Sequence, residues 1–160
     1  MLEQICISDV LLESAKEVFE TMIFMDIEKS SCEDSDVDED WSLLGSITFK
    51  GGLQGCLAIC FNTPCAQAIA INMLGMDSAD ELSEEDVCDA IGEVANMVMG
   101  SVKSRLIEST GNLEVSIPSV ISGRQLRNNL GEHSEEVSVK INIEDKYVAG
   151  LVLLYKENVD

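Results

Sequence analysis

Three side chains spaced for chemistry lie in Asp89-Ala-Ile-Gly-Glu93-Val-Ala-Asn96. In a helix turning ~100° per residue, Asp89, Glu93 and Asn96 fall at i, i+4 and i+7 and share one face. Two carboxylates are then displayed with a carboxamide, which accepts hydrogen bonds through oxygen and donates them through nitrogen. The set is displayed outward on a helix anchored from behind. Gly92 and Gly100 stand beside it, each costing about 1 kcal/mol against Ala in a helix interior. They keep the face low, so that a partner's backbone can approach, and Asp89, Gly92 and Gly100 are candidate partner-binding positions. Periodicity alone is equally satisfied by a solvated face with two tolerated glycines.

A helix from about Ser83 to Ser109 must position these groups. Val87, Ile91, Val94, Val98 and Val102 gather on its opposite side as the buried stripe. Ser83-Glu-Glu-Asp86 has the form of a capping box at its start. Glu84, Glu85 and Asp86 suit its N-terminal dipole, and Lys103 and Arg105 its far end. A first helix, capped by Ser8 and ending near Met25, carries Leu-Leu-Glu13-Ser-Ala-Lys-Glu17-Val-Phe-Glu20. That stretch can be laid over Val-Cys-Asp89-Ala-Ile-Gly-Glu93-Val-Ala-Asn96, acid on acid twice, with Glu20 where the second copy has Asn96. Two halves built alike are expected, and only the second carries the carboxamide.

Between them, Trp41–Phe49 and Leu53–Phe61 are two strands around the hairpin signal Lys50-Gly51-Gly52. Thr63-Pro64 caps and opens a helix that Gly75 stops. Leu113–Ile121, broken by Pro118, is an edge or bent strand. Gly123–Ser134 is polar and forms a loop or hairpin tip. Glu136–Ile143 and Tyr147–Tyr155 close an antiparallel sheet. The fold class is therefore α+β: one antiparallel sheet packed against long helices, with a pseudo-repeat. Residues 1–160 make a single domain with a flexible acidic loop at 30–40. In that loop Asp34, Asp36 and Asp38 imitate a calcium loop, but Glu39 stands where its turn needs Gly.

The formal net charge of −20 repels nucleic acid and anionic membranes. No apolar run reaches the ~20 residues of a membrane span, and residues 1–10 lack the pattern of a signal peptide. A soluble cytoplasmic protein is the expectation. The six cysteines do not form paired C-x-x-C, and the chain has one histidine. Cys56, Ala58 and Cys60 share a strand face as small buried hydrophobes, so no metal site is expected.

With these residues in view, the chain resembles the CheC/CheX/FliY family of response-regulator phosphatases, and most of all its CheX branch. Asp89, Glu93 and Asn96 match the family signature in register, and Pro118 arrives one residue early. Gly45-Ser-Ile-Thr-Phe49, Gly55-Cys-Leu-Ala-Ile-Cys-Phe61 and Ala70-Ile-Asn-Met-Leu-Gly75 extend the likeness over most of the chain outside the acidic loop. The resemblance implies hydrolysis of the aspartyl phosphate on a CheY-like response regulator, in bacterial chemotaxis or related signalling. Asn96 would orient the attacking water, and Glu93 would dock on a regulator lysine. It implies no cofactor bound by this chain, the Mg²⁺ belonging to the regulator. It also implies a homodimer joined through the sheets, and the Tyr147–Tyr155 strand, apolar on both faces, is not expected to be left as a free edge. The alternative is a catalytically weak binding module or adaptor of the same fold in a motility or signalling complex.

Overall fold

The computed structural model describes residues 5–30, 41–122 and 135–157. Its elements follow in the order α1 (Ile7–Val18, continued by a π-helical turn Phe19–Ile23), β1 (Ile27–Lys29), β2 (Leu43–Lys50), β3 (Leu53–Phe61) and α2 (Thr63–Leu74). After a 3₁₀ turn at Ala79–Glu81 come α3 (Glu84–Thr110), β4 (Glu114–Val115), β5 (Ser119–Ser122), β6 (Glu135–Ile143) and β7 (Tyr147–Glu157).

The strands form one antiparallel sheet in the order β1-β6-β7-β3-β2-β4, with β5 also on β2. Alternation decides its faces. Leu43, Ile47, Leu53, Leu57, Ile59, Ile141, Leu151 and Leu153 point to the helices and share their core. Leu44, Ala58 and Cys60 point the other way and pack with Trp41 and Val152. Buried on both sides, β3 therefore reads as a near-continuous apolar run. β7 is equally central, paired with β3 and β6. Its two apolar faces come from that position: Tyr147–Tyr155 is not left as a free edge, as expected, and both of its partners are strands of the same chain.

α3 lies against the sheet on the expected stripe: Val87, Ile91, Val94, Val98 and Val102 are all buried. Each such side chain contributes about 1.5–3 kcal/mol when fully removed from water. The helix comes so close to β2 that a Cβ at Gly45 would lie 2.9 Å from Ile91 Cγ2. The Ser83 hydroxyl accepts from the Asp86 amide and the Asp86 carboxylate accepts from the Ser83 amide, so the predicted capping box is formed.

Two other caps differ from the expectation. Cys6, not Ser8, precedes α1, and Ser8 lies inside the first turn. At α2 the Asn62 side chain, rather than Thr63, accepts from the Cys65 amide at 2.9 Å. Gly75 ends α2 with φ 66° as expected. Residues 31–40 of the acidic loop and residues 123–134 lie outside the described residues.

Candidate functional site

Asp89, Glu93 and Asn96 are all exposed on the solvent side of α3, and the residues behind them are buried. Regular α-helical geometry from Glu84 to Thr110 keeps the three on one line. None of them has a side-chain hydrogen bond or ion pair among the described residues. The site is thus two uncompensated carboxylates and a free carboxamide, mounted on a helix that the core holds rigid.

The two glycines divide. Gly100 is exposed, and a Cβ there would meet nothing within 4 Å, so the helix surface one turn beyond Asn96 is open. Gly92 is buried: a Cβ there would lie 3.5 Å from Val120 Cγ2 and 3.8 Å from Pro118 Cγ. The room that Gly92 leaves is bordered by the chain's own β4–β5 segment at ordinary contact distance. Gly92 thus packs beside Pro118 and Val120 of the same chain, whereas Gly100 lies open.

That segment forms one wall of the site. β4 and β5 both pair with the outer edge of β2, Val115 opposite Phe49 and Ser119 opposite Ser46. The register breaks between them, as Pro118 foretold. The Ser116 amide donates to the Thr48 carbonyl at 2.9 Å, and the Ser116 hydroxyl accepts from the Thr48 amide at 3.0 Å. The same hydroxyl donates to the Ile117 carbonyl at 3.1 Å. A side chain thus takes the place of a ladder carbonyl, and the strand is re-aimed so that Pro118 and Val120 meet α3 at Gly92. On a helical wheel Gly92 lies roughly 60° from Asp89 and 40° from Asn96, so the wall borders the carboxamide side of the face.

Of the corresponding positions of α1, Glu17 is engaged. Glu17 Oε2 accepts from Arg105 at 3.0 Å and from the Ser101 hydroxyl at 2.7 Å, both from α3. No spacing in the sequence pointed to this cross-helix pair. The cysteines offer no competing chemistry. Cys56, Cys60 and Cys65 carry buried thiols, as expected for Cys56 and Cys60. Burial pushes Cys60 up to about 11 and Cys65 to about 12, far from reactive thiolates. Among the described residues no group of His, Cys, Asp and Glu is arranged to hold a metal ion. Among the described residues no helix is long and apolar enough to cross a membrane.

Residues 43–142 match the family model described as chemotaxis phosphatase CheX, a span that contains the whole α3 face and Pro118. The CheY-P phosphatase CheX of Thermotoga maritima is 30% identical over 93 residues, which cover 58% of this chain and 59% of that protein. The match therefore spans less than two thirds of that relative's length. Among solved structures, the chemotaxis protein CheX from Vibrio vulnificus superposes with a TM-score of 0.79 at 23% identity, covering 94% of this chain and 96% of that one. The CheX–CheY–BeF₃–Mg²⁺ complex from Borrelia burgdorferi matches with a TM-score of 0.72 at 16% identity, over 96% of this chain and 100% of the other. These structures share the fold of an antiparallel sheet with packed helices.

Proposed function

The chain belongs to the CheX family of chemotaxis phosphatases, and from that premise we propose that it hydrolyses the aspartyl phosphate of a CheY-like response regulator. The observation that carries this reading is the free, outward Glu93 and Asn96 on a helix the core holds in place. A relative of known activity, the Thermotoga protein, acts on CheY-P. The Borrelia relative was captured with CheY and Mg²⁺.

The chemistry asks little of this chain beyond position. Water forms the new bond to phosphorus, the bond from phosphorus to the regulator's aspartyl oxygen breaks, and inorganic phosphate leaves with the carboxylate restored. The transition state is loose, so a held water matters more than a strong base. Asn96 accepts the water's proton in a hydrogen bond through its oxygen, and its NH₂ donates to a phosphoryl oxygen. Glu93 pairs with a lysine of the regulator and sets the helix against the pocket. Asp89, one turn earlier, and Gly100, one turn beyond Asn96, lie along the same contact. Mg²⁺ belongs to the regulator, where it neutralises the charge on the phosphoryl group.

The test pairs rate with affinity. The expected result is that the protein accelerates loss of label from one phosphorylated regulator of its host. Asn96→Ala should lower that rate on the order of 10²-fold, a barrier of about 3 kcal/mol, with affinity retained. Full activity in Asn96→Ala would overturn the mechanism. Binding with no acceleration by either protein would leave a docking module instead.

A further inference from the structure

Beside the helix face, the chain exposes an apolar side chain that folding alone does not explain. Ile117 is 88% exposed and Val115 42%, whereas the neighbouring Leu113 is fully buried. Ile117 is not on a loose tip. Its carbonyl accepts from the Ser116 hydroxyl, Ser116 is tied twice to Thr48 of β2, and the next residue, Pro118, packs over Gly92 of α3. A bulge fixed at both ends therefore holds a large hydrophobe in water next to the Asp89–Glu93–Asn96 face. Bulges of this kind serve to re-aim a side chain, often beside a functional site.

We propose that Ile117, with Val115 and the edge of Pro118, is the apolar half of the docking surface for the response regulator, α3 supplying the charged half. The inference rests on the phosphatase reading of α3. The regulator patch it fits is a small hydrophobic area beside the one that meets Asn96, because Pro118, the residue after Ile117, borders Gly92 on the carboxamide side of α3. Charge selects this occupant over a second copy of the chain. A two-fold contact across this face would bring Asp89 and Glu93 against their own images, in a molecule already at −20. A basic patch on a different protein meets no such repulsion.

The arrangement also divides the labour. Asn96 acts on the phosphoryl group, whereas Ile117 lies off the helix and contributes to complex formation alone. Removing its side chain should raise Kd and leave the rate within the complex untouched. Full burial of one such side chain in an interface corresponds to a change in Kd of roughly tenfold or more.

The experiment titrates the host's CheY-like regulators, loaded with beryllofluoride and Mg²⁺, against wild type, Ile117→Ser and Ile117→Val. Phe24→Asn is the control: Phe24 is 75% exposed, lies in the left-handed region with φ 63°, and leads into β1 at the opposite edge of the sheet. Single-turnover dephosphorylation at saturating protein is followed alongside. Expected are a Kd raised about tenfold or more in Ile117→Ser, near-wild-type binding in Ile117→Val and Phe24→Asn, and an unchanged saturating rate in all three. An unaltered Kd in Ile117→Ser, with wild type binding and Asn96→Ala slow, overturns this inference and leaves the phosphatase reading standing. Sedimentation showing that Ile117→Ser changes self-association and not regulator binding assigns the surface to a second copy and likewise overturns it. Failure of the wild type to bind any regulator overturns both.

Discussion

Gly100 offers a substitution whose effects on folding and on binding should run in opposite directions. It lies in the interior of α3, ten residues before the helix ends at Thr110, and a Cβ there would touch nothing within 4 Å. Gly100→Ala therefore meets no steric cost and recovers the helix propensity that glycine forfeits, about 1 kcal/mol. Gly100→Gln recovers nearly as much, because glutamine is also a good helix former. For a chain of this size that gain raises Tm by roughly 2–4 °C, measured by the circular dichroism of thermal unfolding. Binding should respond to volume instead. Gly100 sits within roughly 20° of Asp89 on the wheel and one turn beyond Asn96, so a regulator seated on those residues passes over it. The methyl of Ala should weaken the complex slightly, and the longer Gln should weaken it about tenfold, since overpacking a fitted contact costs about 1–3 kcal/mol. Titration of a beryllofluoride-loaded regulator reads this. A Gly100→Gln protein that is more stable and binds as wild type would show that the regulator does not cover Gly100. A protein destabilised by Gly100→Ala would show that the helix surface there is not open.

Glu93→Lys should cost several kcal/mol of association by placing like charges together, with unfolding nearly unchanged because the side chain faces solvent; calorimetric titration and thermal melts check the two halves separately, and unchanged affinity refutes the placement. The buried thiols give a pH dependence. Burial raises Cys60 and Cys65 from 9.0 to about 11 and about 12, so the folded protein holds these protons more tightly than the unfolded chain. Their contribution is full below about pH 9 and is lost as pH rises toward 11–12. The urea midpoint should therefore fall across that window, and Cys60→Ala with Cys65→Ala should flatten the fall.

The sequence showed most of what repeats and little of what is made once. The α3 stripe, the capping box and the alternating strands each follow from a period or a local motif, and they stand where the spacing put them. The hairpin at Lys50-Gly51-Gly52 and the stop at Gly75 follow in the same way. Strand order does not follow from spacing. Tyr147–Tyr155, apolar on both faces, fits a sheet centre as well as a protected edge, and pairing with both β3 and β6 makes it central. The short β1 gave no run long enough to mark it. At the site, Asp89, Glu93 and Asn96 were legible because one helix carries all three. The burial of Gly92 was not, since it depends on Pro118 and Val120 reaching back from a distant edge strand. Ile117 was hidden for a related reason: its exposure comes from the hydroxyl of Ser116 replacing a ladder partner of Thr48, a long-range event without a sequence period.

The two halves of the chain start from similar sequence, and their physical states differ in three ways that reinforce one another. On α3 the acid and the carboxamide sit in unbroken α-helix, three residues apart and nearly one above the other. On α1 the helix passes into a π turn at Phe19, directly between Glu17 and Glu20. A π turn takes more residues per revolution, so Glu20 is rotated away from the angle that Asn96 holds to Glu93. Glu17 is also occupied, bound by Arg105 and Ser101 of the neighbouring helix. That pair is solvent-exposed and worth ~0–1 kcal/mol, too little to explain why the two helices stay together. Its effect is on availability: an arginine of the same chain neutralises the carboxylate that a partner's lysine would otherwise meet. Position 20 in turn holds an acid, which cannot donate to a phosphoryl oxygen when ionised and would repel it. Loss of the carboxamide, of the helical register and of the free acid all fall on one half. The other half keeps all three, which is why a single face of α3 carries the chemistry proposed for the molecule.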